Sequence, residues 1–134
     1  MATVAHIISR ALRLLGVVDA TEAPEAEDFQ TALDALNAMM ARWEANGLAL
    51  GWSSVEGPSD QAPIPTEAQD AVVSNLAMRL GAEYGVALRA DVIAMASGGL
   101  AELQRDRLVA NPIEMRSRLS IGARYNMVTD SYEW

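Results

Sequence analysis

Few residues in this chain have the types and spacings that catalysis or metal binding requires. His6 is the single histidine, and there is no cysteine. A structural zinc site uses four His or Cys ligands, so this composition argues against one. No nucleophile pattern accompanies His6, and we interpret it as an ordinary helix residue. We therefore predict no catalytic residues, no metal and no cofactor.

Two groups of charged residues are explained by their positions near predicted helix ends. With 18 acidic residues, a carboxylate pair of the glycosidase kind can be found almost anywhere and carries no information. Glu25, Glu27 and Asp28 crowd a predicted first helical turn, where the helix dipole favours acids. Arg105 and Arg107 lie near a predicted helix end, where positive charge is favourable. Contact with acids of a partner is the alternative for these two arginines.

Residues 112–134 combine arginines with aromatic side chains, and no helical or strand period is sustained after Pro112. Arginine and aromatic residues are enriched at interface hot spots. We predict that this tail is mobile in the free protein and orders on another chain, although packing on its own domain is an alternative. The candidate partner-binding residues are Arg116, Arg118, Arg124, Tyr125, Met127, Tyr132 and Trp134.

Four helices are predicted to carry the rest of the chain. The first runs from about Thr3, a good cap, to Leu15, and Gly16 ends it. The second begins near Pro24 and ends at Asn46-Gly47. Its apolar residues recur at spacings of 4, 3, 4 and 3, the strongest period in the chain. They are Phe29, Leu33, Leu36, Met40 and Trp43.

Residues 48–65 contain two Gly and three Pro, which exclude a long helix. We predict an extended loop here, with a possible short strand over Leu48 to Val55. Because Leu48, Leu50 and Trp52 alternate with other residues, one side of the loop could be buried while the other stays exposed. We expect the loop to be exposed and part of it to contact a neighbouring subunit or another partner protein through these three residues.

The third helix is predicted from Thr66, which has capping-box spacing with Gln69, to Gly85. The fourth spans roughly Leu88 to Leu108. Gly98-Gly99 lies inside it, and two glycines cost about 2 kcal/mol relative to Ala. We interpret the pair as a place of close helix packing, with a hinge as the alternative.

Length and charge limit the remaining possibilities. A chain of 134 residues fits one domain, so we predict an all-α helical bundle over residues 1–111 and an extended tail over residues 112–134. All 10 basic residues are arginine and the net charge is −8, which disfavours tight non-specific DNA binding. No signal peptide or membrane-spanning run is visible, so the protein is expected to be cytosolic when it is made.

Several segments together resemble a known family, the tail accessory factors of short-tailed phages, also called packaged-DNA stabilisation or head-completion proteins. The similarity covers roughly Val4 to Leu108. It rests on the order and spacing of helix-core residues rather than on one diagnostic motif. The runs that carry it are residues 11–17 (ALRLLGV), 35–43 (ALNAMMARW), 46–48 (NGL) and 75–85 (NLAMRLGAEYG).

The resemblance implies a non-enzymatic head-to-tail adaptor located at the head–tail junction of a virion. Such proteins form a dodecameric ring under the portal protein. The ring extends the DNA channel, helps to retain packaged DNA and offers a platform to a downstream tail or nozzle protein. Packaged DNA passes through the lumen without specific binding. The C-terminal extension reaches the portal, which here would be residues 111–134.

Two other functions remain open from the sequence. An accessory lytic enzyme that degrades cell wall would need two positioned carboxylates, one with a raised pKa. A small helical regulatory protein that binds nucleic acid would need a basic recognition helix, and no predicted helix has one. Isolated chains are expected to be monomers or weak oligomers, because the net negative charge opposes self-association.

Overall fold

A computed structural model describes residues 2–19, 21–110, 124–126 and 131–133. The described body is helical, which confirms the predicted all-α fold. Its elements are α1 (Val4–Leu15), α2 (Ala26–Ala45), a 3-10 turn (Thr66–Ala68), α3 (Gln69–Tyr84) and α4 (Ala90–Ala110). Two short strands follow, β1 (Arg124–Asn126) and β2 (Ser131–Glu133).

Local signals set the ends of α1 as predicted. The Thr3 hydroxyl accepts a hydrogen bond from the His6 amide at 3.3 Å. At the other end Gly16 adopts the left-handed conformation, with φ of 75°, and its amide donates to the Arg13 carbonyl at 3.0 Å. A residue with a Cβ would be strained at this φ, so glycine is the residue that ends the helix cleanly.

Three other helix starts differ from prediction. Helix α2 begins at Ala26, so Pro24 precedes the helix and Glu25 occupies the cap position without a side-chain hydrogen bond. The capping box predicted for Thr66 and Gln69 does not form, because Thr66–Ala68 is a 3-10 turn and α3 begins only at Gln69. Helix α4 begins at Ala90, two residues later than predicted.

Helix α3 lies at the centre of the bundle and packs against α1, α2 and α4. It buries residues around most of its circumference, from Ala71 to Ala77 without a break and then Leu80 and Gly81. A helix that is buried on most sides must be central, because a surface helix shows only one apolar stripe. From the other helices, Leu12, Leu36 and Val92 complete this core.

Helices α3 and α4 approach closely because two small residues face each other. A Cβ placed on Gly99 would lie 2.9 Å from the Ala71 Cβ and 3.1 Å from its Cα. The buried Asn75 amide then bridges the pair by donating to the Ala71 carbonyl at 2.8 Å and to the Ala96 carbonyl at 3.0 Å. The close-packing interpretation of Gly99 is confirmed.

Residues 48–65 form an irregular segment, and no strand is assigned between Leu48 and Val55. The segment is also less exposed than predicted, since Leu48, Val55, Ala62 and Ile64 belong to the buried core. The only regular pairing in this region is one isolated antiparallel bridge between Thr3 and Gln61.

The strands β1 and β2 pair in antiparallel register, with Tyr125 opposite Tyr132. Three-residue strands are too short to produce a recognisable period in the sequence. Among the residues described, no helix has both the length and the apolar character needed to cross a membrane.

Candidate functional site

Asn37 on α2 anchors the irregular segment to the bundle. Its side-chain oxygen accepts hydrogen bonds from the Trp52 indole N–H and the Val55 amide, both at 3.3 Å. Its Nδ2 donates to the Val55 carbonyl at 3.1 Å. One half-buried side chain thus satisfies both backbone groups of Val55 and fixes the Trp52 ring. The position of this segment is therefore set by α2.

The far end of the same segment caps α1. The amides of Val4 and Ala5, which have no partner within the helix, donate to the carbonyls of Asp60 and Pro58 at 2.9 and 3.1 Å. The Asp60 carboxylate in turn accepts the Glu56 and Gly57 amides at 3.1 and 2.9 Å. The Gly57 and Glu56 hydrogen bonds stabilise the ionised form, so the pKa of Asp60 is lowered.

A hydrogen bond ties the end of α3 to the start of α2. The Tyr84 hydroxyl donates to the Asp28 carboxylate at 2.8 Å. Burial raises the pKa of Tyr84 to about 12, and the hydrogen bond to Asp28 adds to the increase because it favours the protonated phenol. The acidic first turn of α2 therefore has a structural contact as well as its favourable place in the helix dipole.

A groove of about 560 Å³ carries a cluster of arginines. Arg42, Arg79 and Arg107 come from α2, α3 and α4 and surround an apolar floor that includes Trp43, Leu48 and Leu100. The two ion pairs found in the described part of the chain, Arg10–Asp70 and Arg89–Asp91, use other arginines. We call this the basic groove, defined by Arg42, Arg79 and Arg107.

One polar atom of the basic groove is buried without a hydrogen-bond partner among the described residues. The Nε of Arg107 is inaccessible to solvent and has no hydrogen-bond partner among the described residues. A buried donor without an acceptor costs about 1–3 kcal/mol, more when the group is charged.

A second groove, of about 570 Å³, runs between α3 and the other flank of α4. Its charged residues are Glu67, Asp70, Glu102 and Asp106, and only Asp70 has an ion-pair partner within the described part of the chain, Arg10 at 2.8 Å. We call this the acidic groove. Met95, a residue that is 49% exposed, lines it, and nearby Ile93 is 44% exposed.

The two grooves lie on opposite flanks of the buried stripe of α4. Leu100, Gln104 and Arg107 face the basic groove, whereas Glu102 and Asp106 face the acidic one. At 100° per residue the two sets are separated by roughly 150° around the helix axis. The same helix therefore presents opposite charge to two different sides of the molecule.

The three residues of the irregular segment that were predicted to contact a neighbour differ in their exposure. Leu48 is only 7% exposed, so most of its side chain is already used in the chain's own core. Leu50 and Trp52 are half-buried and pack against that core. Their exposed parts remain available, and contact with a neighbour through them remains a prediction.

The predicted tail contacts fall outside the residues whose side chains the structure describes. Of these seven, Arg124, Tyr125 and Tyr132 have a described backbone, in β1 and β2. The remaining four are Arg116, Arg118, Met127 and Trp134, which lie outside the described residues altogether.

Sequence reasoning missed the basic groove. Arg107 was interpreted as a favourable charge at a helix end, a place that the structure confirms in the last turn of α4. Contact with acids of a partner was the alternative, and Arg42 and Arg79 were not connected with it. The spacing of Leu100, Gln104 and Arg107, by 4 and 3, marks one helix face and was a usable signal. The addition of Arg42 and Arg79 required the tertiary packing of three helices.

The described residues contain no group of His, Asp and Glu side chains that could hold a metal ion. What they present is a helical body with one basic and one acidic groove. A family model described as P22 tail accessory factor matches residues 1–133. The chain therefore belongs to the P22 tail accessory factor family, and this membership gives it a structural role in a phage virion.

Proposed function

We propose that this protein is a head-to-tail adaptor that forms a ring under the portal protein of a phage. The observation that carries the proposal is the family match, which extends over residues 1–133 and so includes both the helical body and the tail. A tail accessory factor has to join virion components, and an adaptor at the head–tail junction does this by binding one component on each side. The protein would act without catalysis and without a cofactor.

The ring would extend the DNA channel and help to keep packaged DNA inside the head. The net charge of −8 supports this role, because an acidic wall repels DNA phosphates and lets the DNA slide. A basic wall would hold the DNA by counterion release. We take the ring to be dodecameric, as in the family that the sequence resembles, with a downstream tail or nozzle protein on its lower face.

Two parts of the chain would have different roles. Residues 1–111 would form the ring body, and residues 112–134 would dock on the portal through the arginine and aromatic residues of the tail. Large apolar side chains contribute about 1.5–3 kcal/mol each when buried, so Tyr125, Tyr132 and Trp134 would supply most of the binding energy. Many tails engaging one portal would add a strong multivalent effect.

The exposed parts of Leu50 and Trp52 would contact a neighbouring subunit or the downstream tail component. Trp52 is suited to such a contact because its ring is held by the hydrogen bond to Asn37 and is not free to turn away. A preorganised aromatic side chain loses little conformational entropy on binding.

Co-sedimentation of the full chain with the portal protein of the same phage tests the proposed function. The expected result is a stable complex containing several copies of this chain for each portal ring. A portal that sediments without this chain at every salt concentration would contradict it.

A further inference from the structure

The two charged grooves suggest how neighbouring copies in the ring recognise each other. We infer that the basic groove of one copy binds the α4 flank of the next copy that carries the acidic groove and Met95. The inference rests on the proposed ring and names the surfaces that would form it. It concerns the body of the protein and is independent of what the tail binds.

Charge complementarity is the first argument. The basic groove holds Arg42, Arg79 and Arg107 without an ion pair among the described residues. The acidic groove holds four carboxylates, of which only Asp70 is paired with a described residue. Each surface therefore has three charges without an ion pair among the described residues, and the two sets have opposite sign. In a chain of net charge −8, this arginine cluster is a local basic site among the described residues, and another acidic copy would be attracted to it.

Apolar side chains on the two surfaces agree with this pairing. The exposed Met95 on the acidic flank offers a flexible apolar side chain, and the basic groove offers an apolar floor with Trp43, Leu48 and Leu100.

The placement of the two grooves favours a ring over a closed pair. A two-fold dimer uses the same surface on both copies, whereas a contact between two different surfaces leaves one of each free for the next copy. Because the grooves are separated by roughly 150° around α4, a chain of such contacts continues from copy to copy and closes when the rotation allows it.

The absence of natural cysteine makes a cross-linking test direct. Met95→Cys and Gln104→Cys, introduced together, put one thiol on each flank of α4. These positions are nine residues apart, about 13.5 Å along the helix, which is beyond the reach of a disulfide within one chain. Under mild oxidation of the full chain at its highest soluble concentration, we expect a ladder of covalent dimers, trimers and larger species on a non-reducing gel.

A matched control carries Met95→Cys with Ala38→Cys, which moves the second thiol to an exposed part of α2 outside the basic groove. This pair should give about tenfold less of the species larger than dimers. An equal ladder from both pairs, or no ladder from the first pair, would overturn the inference.

Charge reversal gives a second, independent readout. Adding Arg79→Glu or Glu102→Arg to the cross-linking pair should reduce the ladder about tenfold, because like charges would then face each other. Both reversals in one chain, or an equal mixture of the two single variants, should restore it. Failure of this rescue would overturn the inference. Cross-linking is measured with the free chain, whereas the proposed function is tested by binding of the unmodified chain to the portal. Failure of one experiment can therefore be distinguished from failure of the other.

Discussion

Gly99 and Ala71 touch across the interface of α3 and α4, where the missing Cβ of Gly99 leaves room for the backbone of Ala71. The neighbouring Gly98 has open space at the corresponding position. Two adjacent glycines in one helix therefore have different reasons to be there. One is required by packing between helices, and the other lowers helix propensity without a steric need in the chain's own fold.

This difference predicts opposite effects of the same substitution. Gly99→Ala should destabilise the protein by about 1–3 kcal/mol, because the added methyl group pushes against backbone that cannot yield. Gly98→Ala should stabilise it by up to about 1 kcal/mol through helix propensity. Urea unfolding of both variants measures the two values, and equal effects of the same sign would refute the packing argument.

The second prediction concerns the anchor of residues 48–65. Asn37→Ala leaves the N–H and the C=O of Val55 without their partner, which should cost about 1–3 kcal/mol. It should also shift the fluorescence of Trp52, whose indole loses its acceptor.

Gln30→Ala serves as the control for Asn37→Ala. It removes an exposed hydrogen bond to Asp34 on the same helix and should change stability by less than about 0.5 kcal/mol. If the two variants unfold at the same urea concentration, Asn37 does not hold the segment in place.

The third prediction is a pH dependence. The pKa of Tyr84 is raised to about 12 in the folded protein, and an unfolded tyrosine has its ordinary pKa of about 10. The unfolded state therefore loses this proton first. The stabilising contribution of Tyr84 is fully present below pH 10 and is lost as the pH rises from about 10 to 12.

An ultraviolet titration of phenolate formation checks this. One of the three tyrosines should titrate near pH 12 in the wild type, and that late step should be missing in Tyr84→Phe. The variant should also lose less stability than the wild type over the same alkaline range. A late step that survives in Tyr84→Phe would assign the raised pKa to another residue.

The fourth prediction separates the body from the tail. Truncation after Asn111 should leave the helicity and melting of the body nearly unchanged and should abolish co-purification with the portal. In the full chain, added salt should weaken portal binding only in part, since it screens arginine contacts but leaves aromatic burial intact. Portal-bound rings formed by the truncated chain would contradict the docking role of the tail. An unfolded truncated chain would show instead that the tail packs on its own bundle.

Sequence-based predictions were accurate where the signal acts within a few residues, and they failed where the structure depends on contacts between distant residues. The ends of α1 were predicted because Thr3 and Gly16 each act within a few residues. The predicted start of α3 was wrong because residues 66–68 form a 3-10 turn. The Thr66–Gln69 spacing alone cannot distinguish such a turn from a capped α-helix.

The irregular segment was predicted as a loop but not as part of the core. Its position depends on Asn37, which is 18 residues from Val55 in the chain. The basic groove depends on Arg42, Arg79 and Arg107 from three helices. No local period relates such distant residues, so the candidate assembly surfaces required the tertiary structure.

Electron microscopy of the full chain mixed with the portal protein of the same phage tests the adaptor role most directly. The expected image is a ring of this protein, coaxial with the portal and attached to its tail-facing side, with an open central channel. A protein that binds elsewhere on the portal, binds as single copies, or closes the channel would contradict the proposed head-to-tail adaptor.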